Sequence, residues 1–124
     1  MKLTVLPELL AICRMAPGEP APAWASGGPF TSVTRTADEL SIVCCQSAAP
    51  PSVTQNPGWR ALRVAGPLDL SLIGILLSIA QPLADAGISL FAVSTFDTDY
   101  VLVKEASLPQ AVAALTAEGH TVDE

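Results

Sequence analysis

A chain of 124 residues has the length of one domain, or of two very small subdomains that share a core. Half of the residues are hydrophobic and only 15% are charged, which excludes disorder over most of the length. The formal net charge is -6, the acidic excess lies after residue 62, and no Lys/Arg cluster occurs. We therefore expect neither nucleic acid nor an anionic membrane surface as a partner.

The apolar stretch between residues 68 and 80 is interrupted by Asp69 and is too short to span a bilayer. The N-terminal residues alternate in polarity around Pro7 and Glu8, and they lack the apolar centre and cleavage site of a signal peptide. We therefore predict a soluble protein located in the cytoplasm.

The first half of the chain predicts short strands separated by loops. Pro7 breaks the first β-favourable run, and Trp24 is the one large anchor in a loop rich in Pro, Gly and Ala. We interpret Trp24 as a lid that packs on the core rather than as a ligand platform. The predicted segments are strands within 2–6 and 9–15, a loop over 16–29 with one helical turn near 21–26, a hairpin of 30–36 with 39–45, and a loop over 46–58.

Three cysteines, Cys13, Cys44 and Cys45, form an odd number without the spacing of a metal site. If Cys44 and Cys45 lie on a strand, their side chains point to opposite faces and cannot easily share a ligand. We interpret the cysteines as buried structural thiols, and we predict no metal and no cofactor.

The second half predicts a longer helix with an unusual surface. Apolar residues dominate it, and Pro82 inside it frees the carbonyl of Ser78, which favours a kink. Such an apolar helix needs cover from the rest of the chain or from a second chain. Its narrow polar stripe consists of Ser71, Gly74, Ser78, Gln81 and Asp85.

The elements around that helix complete the second half. The predicted segments are a strand over 59–65, the helix from a cap at Asp69 or Ser71 to Gly87, strands over 88–96 and 100–105 with a turn at 97–99, a helix from Ser107 to Gly119 with Gln110 in a capping box, and a last strand over 120–122.

The order strand, helix, strand, strand, helix, strand favours a four-stranded antiparallel sheet with both helices on one face. The first half offers a comparable order with a weak first helix and without the second helix. We therefore predict an α+β fold of two ferredoxin-like βαββαβ modules in tandem, divided into residues 1–58 and 59–124.

Several short motifs resemble the ACT domains of the CASTOR-like group. In the second half they are WR at 59–60, GPLD at 66–69, GIL at 74–76, PLA at 82–84, AGIS at 86–89 and STFDTDY at 94–100; in the first half they are PAWA at 22–25 and TADELS at 36–41. The string STFDTDY is the most specific of them. The resemblance implies a ferredoxin-like module that binds amino acids where paired ACT domains meet and that regulates enzymes or signalling.

The resemblance also indicates which residues would contact a ligand. An amino acid needs backbone N–H donors for its carboxylate, as at the first turn of the helix, and a carboxylate such as Asp97 or Asp99 for its ammonium. Asp97 and Asp99 can equally be turn-forming residues, and Gly74 can simply allow close helix packing. The expected ligand-binding residues are Gly74, Ile75, Ser94, Thr95, Phe96, Asp97 and Asp99, with Glu39 and Ser41 from the first half.

Catalysis finds little support in the sequence. The sole histidine, His120, lies near the C-terminus and is interpreted as a surface residue, and neither a nucleophile elbow nor a phosphate-binding glycine loop is present. We predict a non-enzymatic sensor for a small amino acid that forms a homo-oligomer or controls a separate enzyme. The alternative is a structural or dimerisation module that keeps the fold without a ligand.

Overall fold

The computed structural model describes residues 1–68 and 74–124. These residues form two compact units, unit one from Met1–Pro7 with Arg60–Glu124 and unit two from Glu8–Trp59. The strand β5 contributes residues to both units. The strands and α-helices are β1 (Lys2–Val5), β2 (Leu10–Met15), β3 (Ser32–Arg35), β4 (Leu40–Cys45), β5 (Thr54–Val64), α1 (Ile75–Asp85), β6 (Leu90–Ser94), β7 (Asp99–Lys104), α2 (Leu108–Ala117) and β8 (Thr121–Asp123).

The sheet of unit one follows the predicted ferredoxin-like order β5, α1, β6, β7, α2, β8. β7 pairs with β5 and, in antiparallel register, with β6. The structure adds β1 between β5 and β8, antiparallel to β5 and parallel to β8, so this sheet has one more strand and one parallel pair than predicted. β1 forms backbone hydrogen bonds with both neighbouring strands, β5 and β8, although the predicted division places β1 in the N-terminal half.

Both helices of unit one cover the same face of the sheet. Alternate residues of β1 and β5 point to this face, as the two-residue period of a strand requires. Ile79 and Leu83 of α1 and Leu115 of α2 are fully buried against it. The α+β fold with helices on one face is therefore confirmed. The buried core consists of Leu3, Val5, Leu62, Val64, Ile79, Leu83, Ile88, Val101, Val103, Leu108, Ala111 and Leu115.

The apolar helix α1 is covered on one side only. Leu77 is 63% exposed, so the described residues do not surround the helix, and cover by a second chain stays a prediction. The stripe residues Ser78, Gln81 and Asp85 are exposed. α1 begins at Ile75 after Gly74, whose φ of 79° is left-handed. The predicted caps Asp69 and Ser71 lie outside the described residues.

Unit two carries the sheet order β3, β4, β2, β5. The predicted hairpin is confirmed, since β3 and β4 pair antiparallel, and β4 is an interior strand because it also pairs with β2. The predicted helical turn is a 3-10 turn at Ala23–Ser26, and Trp24 packs on the core as a lid. The Arg35 guanidinium holds the same loop by donating to the carbonyls of Pro17 and Glu19.

The predicted loop over 46–58 is wrong at its C-terminal end, because β5 already begins at Thr54. Asn56, Pro57 and Gly58 lie inside the strand, where Pro and Gly are normally unfavourable. A β-bulge explains their presence: Leu10 lies opposite Trp59 and Ile12 opposite Asn56, so β5 carries one extra residue. Gly58 adopts the φ of 83° that such a bulge needs.

The expectation that His120 is a surface residue is wrong. Its side chain is buried, with 9% exposure, and Nε2 lies 2.9 Å from the carbonyl oxygen of Ser78. Since a carbonyl only accepts, Nε2 donates this hydrogen bond. Pro82 has no N–H to offer that carbonyl, so His120 supplies the donor that the helix lacks.

The capping box predicted for α2 is also wrong. Ser107 occupies the N-cap position, but its side chain makes no capping hydrogen bond. Gln110 instead donates from Nε2 to the carbonyl oxygen of Ala86 at 3.2 Å, directly after α1. The side chain expected to serve its own helix therefore joins the ends of two helices. Within residues 1–68 and 74–124, no helix combines the length and hydropathy needed to cross a membrane.

Candidate functional site

The turn between β6 and β7 is held by its own threonines. The Thr95 N–H donates to the carbonyl oxygen of Thr98 at 2.8 Å, and the Thr98 N–H donates to Oγ1 of Thr95 at 3.3 Å. Thr98 is buried, and its hydroxyl donates to the carbonyl oxygen of Val64 at 2.6 Å. The turn is thereby fixed to the end of β5.

The segment after β5 packs closely against this turn. The Leu68 N–H donates to the carbonyl oxygen of Asp97 at 2.6 Å. A Cβ atom added at Gly66 would lie 3.0 Å from Cβ of Thr98 and 3.1 Å from the carbonyl oxygen of Asp97. This position therefore suits glycine because the approach leaves little room for a side chain.

A cleft of about 300 Å³ opens beside the turn. Its size lies at the lower end of the range for small-molecule sites. Arg63 contributes a guanidinium and Asp97 a carboxylate, and both side chains are exposed. The lining residues are Arg63, Gly66, Pro67, Asp97, Thr98 and Tyr100.

The strand period explains why Arg63 and Tyr100 reach the cleft. Their neighbours Leu62, Val64 and Val101 belong to the core under the helices. Arg63 and Tyr100 therefore point to the opposite face of the sheet. Ion pairs among the described residues include those of Lys2 with Asp123 and Arg60 with Glu105, and neither Arg63 nor Asp97 takes part in one within that part of the chain.

The structure brings only some of the predicted ligand-binding residues to this cleft. Asp97 lines it, and Thr95 fixes the turn. Phe96 is 80% exposed at the tip of the turn, while Ser94 and Asp99 lie opposite each other where β6 ends and β7 begins.

The other predicted residues lie elsewhere. Gly74 and Ile75 lie at the start of α1 and do not line the cleft. Glu39 and Ser41 lie in unit two, Glu39 just before β4 and Ser41 within it. Their roles toward a ligand stay predictions.

The sequence-based prediction did not include Arg63, Thr98 or Tyr100 as site residues. One signal was available for Arg63, which is the charged residue in the otherwise apolar stretch ALRVA at 61–65. Thr98 could not be found in this way, because its role depends on a hydrogen bond to Val64, which is distant in sequence.

The cysteines offer little chemistry. Cys13 and Cys44 are buried in unit two, as predicted, whereas Cys45 is half-buried. Burial, together with a smaller contribution from the neighbouring Cys13, raises the pKa of Cys44 to about 11. A thiol held neutral in this way is a poor nucleophile. Among the described residues, no three His, Cys, Asp or Glu side chains form a group that could hold a metal ion.

Comparison with known families fits this arrangement. The model of the ACT domain matches residues 55–117, and a second model, which describes an N-terminal domain, matches residues 8–52. This chain belongs to the ACT domain family, and the predicted resemblance is confirmed.

Individual relatives support the same assignment. The cytosolic arginine sensor for mTORC1 subunit 1 of Bos taurus is 33% identical over 126 residues, which cover 90% of this chain and 37% of the relative. The chain thus spans little more than a third of that relative's length.

Two solved structures illustrate the fold. A crystal structure of an Agobacterium tumefaciens protein has a TM-score of 0.93 and 43% identity, covering 98% of this chain and 90% of that one. The ligand-free regulatory subunit of aspartate kinase from Thermus thermophilus has a TM-score of 0.65 at 11% identity, covering 94% of this chain and 96% of that one, and it shows the fold alone.

Proposed function

We propose that this chain is a non-enzymatic regulatory module that binds a small amino acid at the cleft beside the β6–β7 turn. The observation that carries the proposal is that Asp97, which has no ion pair within the described residues, lines a cleft large enough for a small molecule. A carboxylate in that position can accept hydrogen bonds from the ammonium group of an amino acid.

Family membership supports the regulatory part of the proposal. One relative is named as an arginine sensor, and one structure of the same fold is a regulatory subunit of aspartate kinase. These names describe those proteins, and we extend only the general role to this chain. The proposal includes a cytoplasmic location, a regulated enzyme or a second copy as partner, and a ligand held where ACT modules meet.

The fixed position of the turn supports Asp97 over Asp99 as the ammonium partner. The backbone of Asp97 accepts from Leu68, and the next residue, Thr98, is tied to Val64. Asp97 therefore lines the cleft from a fixed backbone, whereas Asp99 does not line it. Such preorganisation lowers the entropic cost of binding.

A thermal-shift screen of the twenty common amino acids tests the proposal. A ligand at a hundred times its dissociation constant adds about 2.7 kcal/mol to the free energy of unfolding. We expect Asp97→Ala to abolish the shift without changing the unliganded stability, because this exposed side chain makes no hydrogen bond or ion pair within the described residues. Asp38→Ala, at an exposed position in the β3–β4 turn, is the control and should retain the full shift. Absence of any shift for the unmodified chain would contradict the proposal.

The second candidate function is a dimerisation module without a ligand. Its supporting observation is the exposure of two large apolar side chains, 63% at Leu77 and 80% at Phe96. Light scattering of the purified chain separates the two candidates in combination with the screen. A stable dimer with no amino acid response favours this second function, and Leu77→Ser and Phe96→Ser should then weaken the dimer.

A further inference from the structure

We propose that Arg63 determines ligand specificity by binding the α-carboxylate, so that the cleft selects zwitterionic amino acids over amines and neutral amides. This inference rests on the proposed function, and it identifies a side chain on the sheet as the group that binds the ligand's carboxylate. Arg63 and Asp97 line the same cleft of about 300 Å³.

The two charges are unpaired although they share the cleft. Neither Arg63 nor Asp97 has a hydrogen bond to its side chain or an ion pair within residues 1–68 and 74–124. They do not approach each other within the 4.0 Å of an ion pair. An α-amino acid carries a cation and an anion on one carbon, so it can pair with both groups at once.

The chemistry of arginine favours a carboxylate as its partner. The guanidinium is planar, is always charged near neutral pH, and presents parallel N–H donors that match the two oxygens of a carboxylate. Arg63 emerges from β5, where Val64 is locked to both β1 and Thr98. Its backbone is therefore fixed while its side chain is available to a ligand.

Two other clefts among the described residues lack this pairing of charges. One is lined by Glu8, Leu9, Cys45, Gln46 and Ser47, and the other by Ser78, Gln81, Pro82, Asp85, Glu118 and His120. Neither set contains Lys or Arg, and His120 is already engaged with the Ser78 carbonyl. Of these three clefts, the one beside the turn is therefore complementary to a zwitterion.

Among the described residues, the start of α1 is a weaker candidate for the carboxylate than Arg63. The sequence alone directs the carboxylate to backbone donors at that helix, but Gly74 and Ile75 do not line the cleft that contains Asp97. The geometry of the described residues favours a side chain on the sheet in that role.

Calorimetric titration of the full chain tests the inference. Each of the twenty common amino acids is titrated, and the tightest binder is compared with its α-carboxamide, which keeps the ammonium and lacks the negative charge. We expect the amide to bind about 10- to 100-fold more weakly to the unmodified chain, because charge-assisted hydrogen bonds have this magnitude.

Variants then assign the effect to Arg63. Arg63→Met should weaken the amino acid about 10- to 100-fold and bind acid and amide almost equally, while Arg63→Lys should retain part of the discrimination. Lys2→Met removes one positive charge from the same unit at a residue that does not line the cleft, and it should bind like the unmodified chain.

The outcomes separate this inference from the proposed function. If no amino acid binds the unmodified chain, both are overturned. If an amino acid binds and either the amide binds equally well or Arg63→Met keeps full affinity and discrimination, only the role of Arg63 is overturned. The amide comparison needs no variant, so the test holds even if Arg63→Met folds poorly.

Discussion

Units one and two satisfy their buried polar groups in different ways. Unit one buries Thr98 and His120, and each donates a short hydrogen bond to a backbone carbonyl that is distant in sequence. Unit two instead buries the thiols of Cys13 and Cys44, whose hydrogen bonds are weak. This difference indicates that unit one is the part of the chain whose backbone is held in fixed positions.

The two hydrogen bonds in unit one hold parts of the backbone in place. Thr98 fixes the turn that carries Asp97, and His120 repairs the backbone of α1 at the point where Pro82 leaves a carbonyl without its donor. Unit two covers its core with a 3-10 turn and Trp24 rather than with packed α-helices. Unit one is therefore the better candidate for a ligand site, and the following predictions test that contrast.

The largest effect is expected at Thr98. Thr98→Val keeps the shape of the side chain but removes the donor to the Val64 carbonyl, so we expect a loss of about 1 to 3 kcal/mol in the free energy of unfolding. Thr116→Val is the matched control, since its hydroxyl also donates to a backbone carbonyl but is exposed on α2. That variant should change stability by less than about 0.5 kcal/mol. Equal losses in chemical denaturation would refute the assigned role of Thr98.

A smaller effect is expected from the pair formed by Pro82 and His120. His120→Phe leaves the Ser78 carbonyl without a donor and should destabilise the chain by about 1 kcal/mol or more. In a Pro82→Ala background the new N–H can donate to that carbonyl, so the same substitution should cost less. A double-mutant cycle measures the difference. Additive losses would show that His120 does not compensate for the proline.

The smallest effect concerns Cys44 in unit two. Its raised pKa means that the fold favours the neutral thiol, whereas the unfolded chain ionises near the ordinary value of 9.0. This contribution to stability is complete below about pH 9 and is lost as the pH rises toward 11. We expect Cys44→Ala to reduce the fall in Tm over this interval, while Cys45→Ala changes it much less, because Cys45 is the smallest of the causes that raise the pKa of Cys44. Identical pH profiles for all three proteins would exclude the thiol as the cause.

Much of the fold follows from the sequence because its signals are local. The hairpin of β3 and β4, the turn near Trp24 and the order of elements after β5 depend on alternation, turn residues and helical spacing. The position of β1 could not be predicted in this way, since a short strand carries no information about which sheet accepts it. The start of β5 was predicted several residues too late, because Pro57 and Gly58 lie in a bulge and such residues usually end a strand.

The candidate site was predicted only in part for a related reason. Asp97 was found because the string STFDTDY places it in a turn after a strand. Arg63 lines the cleft together with Asp97, which is distant in sequence. Thr98 donates to Val64 in another strand, and His120 to Ser78 in another element. Contacts between residues that are distant in sequence can be identified only from the folded structure.

The most direct test of the central claim is an amide-resolved NMR titration with the amino acid that stabilises the chain most. We expect the largest shift changes at the amides of Arg63, Gly66, Asp97 and Thr98, with small changes in unit two around Cys45 and Ser47. Saturable changes confined to other residues, or no changes at any amino acid concentration, would contradict a ligand site in the cleft beside the β6–β7 turn.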